Sequence, residues 1–109
     1  MKIMTFAHVL ENIESFSTRC WIYLPSDDEW SLESNSAVLE SEEVLPEEED
    51  DLEAGVPEFA KKNKLMRALP VSEVQDIVRN LKEQLPTASL DQAFEAFLYY
   101  YDNDSYISV

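Results

Sequence analysis

The sequence predicts an α+β fold: a small antiparallel sheet of about three strands packed against three to four helices, two of them C-terminal. Three observations carry this expectation. Apolar residues recur at helical spacing through the last third of the chain, and short β-rich runs separated by polar turns occupy its middle. A length of 109 residues with 45% hydrophobic content suits one domain, residues 1–109, built on one core. A domain of this size hides roughly 60 to 70% of its unfolded surface, which suffices for stability without staples.

The elements follow in chain order. Phe6, Val9, Leu10 and Ile13 share one face of a helix expected over residues 5–15, with Thr5 as its cap. The run "CWIYLP", 20–25, reads as a strand closed by Pro25, and "SAVLE", 36–40, as a second strand. The polar stretch "SDDEWSLES" between them suggests a hairpin with a long connection. Next comes an acidic segment, expected to be a mobile loop at about 41–56, where Pro46, Gly55 and Pro57 interrupt any regular element. A short helix opening on Pro57 is expected over 57–65, and a third strand over 65–71, since Pro70 stops a helix from running on. Ser72 and Gln75 have the spacing of a capping box and precede the stripe Val74, Ile77, Val78, Leu81 and Leu85. Pro86 ends that helix. Ser89 and Gln92 repeat the capping spacing ahead of Leu90, Ala93, Phe94, Phe97, Leu98 and Tyr101.

Charge is the most unusual property of the chain. The net charge is −15, from 23 acids and 8 bases, and nine of the acids fall within "ESEEVLPEEEDDLEAG", residues 40–55. Such a field repels nucleic-acid phosphates and anionic membranes and attracts basic proteins. Binding to DNA or RNA needs cationic side chains that displace counterions, so neither is expected as a partner. The first residues carry Glu11 and Glu14 where a secretion signal needs an unbroken apolar stretch, and no window is long and apolar enough to span a membrane. A cytoplasmic protein is expected.

Catalytic chemistry finds little to use. His8 is the sole histidine, Cys20 the sole cysteine and Gly55 the sole glycine. Phosphate-cradling loops need several glycines, and a reactive thiol needs exposure near positive charge rather than the apolar setting of "CWIYL". Cys20 reads as core filling and His8 as an ordinary surface or half-buried histidine. Carboxylate pairs are inevitable among 23 acids and carry no information. A calcium loop starting at Asp50 places Gly55 correctly but puts Leu52 and Ala54 at ligand positions, and "DNDSY", 102–106, lacks the turn glycine. No catalytic residue, cofactor, metal site or small-molecule substrate is expected.

Binding to a protein remains. Asp27, Asp28 and Glu29 adjoin Trp30, and Asp102 and Asp104 adjoin a run of tyrosines. Aromatics flanked by acids suit a partner that offers Lys and Arg around apolar pockets. The plainer alternative is that Trp30 covers the sheet edge and Tyr101 belongs to the core stripe. Glu47, Glu48, Glu49, Asp50 and Asp51 form the densest part of the acidic run, which reads equally as a solvated loop or as bait for a basic partner.

The segments "YLPSDDEWSLESNSAVLES", "VSEVQDIVRNLKEQ" and "AFEAFLYYYDNDSYISV", with an acidic loop after the first, resemble a group of small acidic bacterial proteins. That group comprises the immunity proteins of contact-dependent growth inhibition systems, the CdiI-like class. The resemblance implies a cytoplasmic protein that binds a basic toxin domain one-to-one, in many cases a nuclease, and blocks its active site. The resemblance assigns no residues; from the charge and aromatic pattern alone, the acids at 47–51 are expected to steer the encounter, and Asp27, Asp28, Glu29, Trp30, Asp102 and Asp104 to make contact. The alternatives are a nucleic-acid mimic that inhibits a DNA-binding protein, or an acidic adaptor of another role.

Overall fold

A computed structural model of the chain describes residues 3–40 and 58–108. At its centre lies β2 (Cys20–Pro25), flanked by β3 (Asn35–Glu40) and β4 (Leu65–Pro70). A two-residue strand, β1 (Met4–Thr5), pairs with the outer edge of β3, so the sheet runs β1-β3-β2-β4 with every pairing antiparallel. The fold is therefore α+β as expected, with four strands rather than about three. Two residues are too few to leave an alternating pattern, which is why the extra strand escapes a reading by periodicity.

The register explains how the sheet divides two apolar layers. Ile22 faces Val38 and Leu69, whereas Tyr23 faces Ala37 and Arg67, so Ala68 is skipped in the ladder. This bulge lets the consecutive residues Ala68 and Leu69 both pack into the same apolar layer, contrary to strict alternation. That layer joins Ile22 and Leu24 to Phe6, Val9, Leu10, Ile13, Val71, Val74, Val78 and Phe97. The opposite face carries Tyr23, Ala37 and Leu65, covered by Ala60 and partly by Phe59 of α2 (Glu58–Lys62).

Thr5 caps α1 (Phe6–Glu11), accepting from the His8 amide at 3.2 Å. The expected helix over 5–15 is interrupted at Asn12, whose backbone N–H and side-chain amide both donate to the His8 carbonyl. A side chain competing for backbone groups ends the helix there, and a 3₁₀ turn at Ile13–Ser15 keeps Ile13 in the core.

The first of the two expected capping boxes does not form. Helix α3 (Val71–Gln84) begins directly after Pro70, so Ser72 lies inside the helix and caps nothing. Val71 is wholly buried, and its burial sets where the helix starts. Gln75 is buried too, and its amide donates to the carbonyls of Ile13 and Phe16 at 3.0 and 3.2 Å. The second box forms in full at α4 (Leu90–Asn103). Ser89 accepts from the Gln92 amide, and the Gln92 side chain accepts from the Ser89 amide. Asp104 closes α4 with a left-handed backbone (φ 54°) and an N–H···O bond to Tyr100 at 2.7 Å. Tyr101 departs from the expected core stripe, for it is 39% exposed where α4 runs past the buried layer.

Candidate binding site: an acid-rimmed aromatic cavity

The connection between β2 and β3, residues 26–34, is tied down at several points. Ser26 donates through both its amide and its hydroxyl to the Lys64 carbonyl, at 2.9 and 3.0 Å. Ser31 and Ser34 bond to one another within a turn. The carbonyls of Leu32 and Ser34 accept from Ala7 and Phe6, the opening amides of α1. Those amides have no partner within their own helix, so the connection supplies what the helix end requires.

Trp30 is the anchor of this connection. Its indole N–H donates to the Pro25 carbonyl at 2.8 Å, and its ring packs against Phe97 and edge-on against Tyr101, with centroids 6.0 and 4.8 Å away. The contact brings the β2–β3 connection against the C-terminal end of α4, segments far apart in sequence. Between them opens a cavity of about 440 Å³, lined by Asp28, Glu29, Trp30, Leu98, Tyr101 and Asp102. Its floor is aromatic and aliphatic, and its rim carries three carboxylates. None of these three makes an ion pair among the described residues, where Arg79 pairs with Glu14 and Asp76 on α3.

A more polar depression of about 360 Å³ lies beside it and shares Asp28 and Glu29. Asp27 and Glu33 line that second hollow, together with Lys64. The residues expected to bind a partner thus divide. Asp28, Glu29, Trp30 and Asp102 come together around one cavity, Asp27 turns to its neighbour, and Asp104 serves as the cap of α4. The Tyr100 hydroxyl is raised above its ordinary pKa first by burial and then by negative neighbours, Glu73 and Asp104 among them. Glu47, Glu48, Glu49, Asp50 and Asp51 lie outside the described residues.

Leu98 and Tyr101 were not among the expected contacts. The signal for them was present: Leu98, Tyr101 and Asp102 fall at i, i+3 and i+4 on the end of an apolar stripe longer than the core needs.

Reactive groups lie elsewhere. His8 is exposed on α1 beside Asn12. Cys20 faces Glu40 across the β2–β3 ladder, half-buried and packed against the edge of the main core. Burial, and then the Glu40 carboxylate, raise the Cys20 thiol above its usual pKa, which keeps it protonated at neutral pH. Among the described residues, no group of three His, Cys, Asp or Glu side chains is placed to hold a metal ion. No helix among them is long and apolar enough to cross a membrane. The cavity presents an apolar aromatic surface beside the carboxylates of Asp28, Glu29 and Asp102.

The family described as a domain of unknown function, DUF7716, matches residues 3–109. The chain belongs to that family. The DUF7716 match takes in both walls of the cavity, the β2–β3 connection and the end of α4. No curated protein and no solved structure matches the chain.

Proposed function

We propose that this protein binds a basic protein domain and neutralises it, acting in the cytoplasm as an immunity protein against a cognate toxin. The observation that carries this reading is the cavity of Trp30, Tyr101 and Leu98 with its rim of Asp28, Glu29 and Asp102, set in a chain of net charge −15. A nuclease is the class of toxin that fits best, because its active site is a cationic groove made for phosphates. An acidic surface lodged in that groove excludes the substrate and needs no catalysis of its own.

The magnitudes divide the work between charge and packing. Exposed ion pairs contribute only about 0 to 1 kcal/mol each, so scattered carboxylates do not produce tight binding. Their field instead accelerates the encounter, towards roughly 10⁸ to 10⁹ M⁻¹s⁻¹ at low salt. Aromatic anchors in a desolvated pocket then slow dissociation, which is the part given to Trp30 and Tyr101. Glu47, Glu48, Glu49, Asp50 and Asp51 add to the steering field by their charge.

The test begins with the gene next to this one. If it encodes a secreted protein with a basic C-terminal domain, that domain is expressed alone and together with this protein. Growth arrest by the domain alone, rescue on co-expression, and a one-to-one complex without nuclease activity are expected. Arrest that continues undiminished beside a folded, abundant copy of this protein contradicts the proposal.

A further inference from the structure

We infer that the cavity between the β2–β3 connection and α4 is a receptor for a single arginine side chain of the partner. This rests on the reading that the partner is a basic protein, and it names the group that enters. The cavity is a shallow, open hollow of about 440 Å³, with room for one side chain laid along its aromatic surface. Its lining calls for two properties in one occupant: a flat face to lie against Trp30 and Tyr101, and a positive charge to answer Asp28, Glu29 and Asp102. A neutral aromatic could use the apolar surface but would leave the exposed carboxylates of Asp28, Glu29 and Asp102 without an opposite charge.

Arginine satisfies both demands better than lysine does. Its guanidinium is planar, stacks on aromatic faces, sheds water more readily than an ammonium, and presents five N–H donors to carboxylates on different sides. The rim supplies acceptors from two elements, Asp28 and Glu29 from the connection and Asp102 from α4, as a forked donor requires. The same chain already uses this pairing internally: the Arg67 guanidinium carbon lies 5.0 Å from the centroid of the Trp21 ring. Trp30 is also prepared for such a contact. Its bond to the Pro25 carbonyl and its packing against Phe97 hold the ring in place before anything binds. The neighbouring hollow shares two of the carboxylates but contains Lys64, whose charge repels a cation, so the aromatic cavity is the favoured berth.

The experiment uses the intact protein and three probes, the N-acetyl methylamides of arginine, lysine and citrulline, of which citrulline matches arginine in size without its charge. Titrations are followed through the indole N–H resonances of Trp21 and Trp30, distinguished by the signal missing in Trp30→Phe. The arginine probe is expected to shift the Trp30 resonance in a saturable way and leave Trp21 still. The lysine probe should bind more weakly, by roughly threefold or more, and the uncharged citrulline probe should leave Trp30 unmoved. Replacing Asp28→Asn, Glu29→Gln and Asp102→Asn together should remove most of the arginine response. Failure of arginine to move Trp30, or equal responses to arginine and lysine, overturns the inference. The three probes on the unaltered protein decide it even if the triple substitution disturbs the fold. The outcome is separable from the proposed function. A basic toxin domain bound with Trp30 unperturbed sinks this inference alone, whereas an arginine-selective cavity in a protein that rescues no cell sinks the immunity reading alone.

Discussion

The buried Gln75 side chain donates to two carbonyls, those of Ile13 and the part-buried Phe16, and so joins α3 to the turn that follows α1. Gln75→Ala removes a donor from both carbonyls, leaving Ile13 only the long bond from the Phe16 amide at 3.4 Å, and should cost about 1 to 3 kcal/mol in urea unfolding. Ser72→Ala, one turn earlier on the same helix, should change stability by less than about 0.5 kcal/mol, because its hydroxyl caps nothing. Ser89→Ala, which breaks a formed capping box, should cost about 1 kcal/mol. These three side chains also mark a limit on what residue spacing conveys. Ser72–Gln75 and Ser89–Gln92 look alike in the sequence, yet only the second pair acts locally. The first is overridden by contacts distant in sequence: Val71 is drawn into the core, and Gln75 finds carbonyls on another element. Tyr101 was misplaced for a related reason. Helical periodicity identifies the face on which it lies but not where the buried layer stops along that face.

The β2–β3 connection owes its shape to its neighbours more than to its own sequence. Trp30 joins it to α4, Ser26 to the turn before β4, and Leu32 and Ser34 to the start of α1. Trp30→Ala should therefore do more than empty a half-buried site. The amides of Phe6 and Ala7, which donate to Ser34 and Leu32, should exchange with solvent markedly faster as the connection loosens, while those of α3 keep their protection. Equal protection of Phe6 and Ala7 in the variant and the parent would show that the backbone bonds alone hold the connection. The helices α3 and α4 were legible from a clear helical period, and β2, β3 and β4 from short β-rich runs with breakers such as Pro25 and Pro70. Strand order was not, since the placement of β2 between β3 and β4 depends on pairings between distant segments. The cavity lay beyond a sequence reading for the same reason. Asp28, Glu29 and Trp30 could be named as one cluster and Asp102 as part of another, but nothing local says that Trp30 packs on Tyr101 and brings the two together.

At the scale of the whole molecule, charge is distributed unevenly. Four of the eight bases, Lys61, Lys62, Lys64 and Arg67, fall on α2, β4 and the turn between them. The carboxylates of Asp28, Glu29 and Asp102 gather at the cavity, and nine further acids fall between residues 40 and 55. On the proposed reading a basic partner feels this negative potential as it approaches, over about 8 to 10 Å at physiological salt. The direct measurement is the association rate constant with the cognate basic domain, followed by stopped-flow across a range of sodium chloride. The rate should fall roughly tenfold or more between about 50 mM and 0.5 M salt, with dissociation changing far less. It should drop further at low salt when Asp28, Glu29 and Asp102 are neutralised together. An association rate indifferent to ionic strength, or one unchanged by that neutralisation, would contradict the claim that this protein uses negative potential to find its partner.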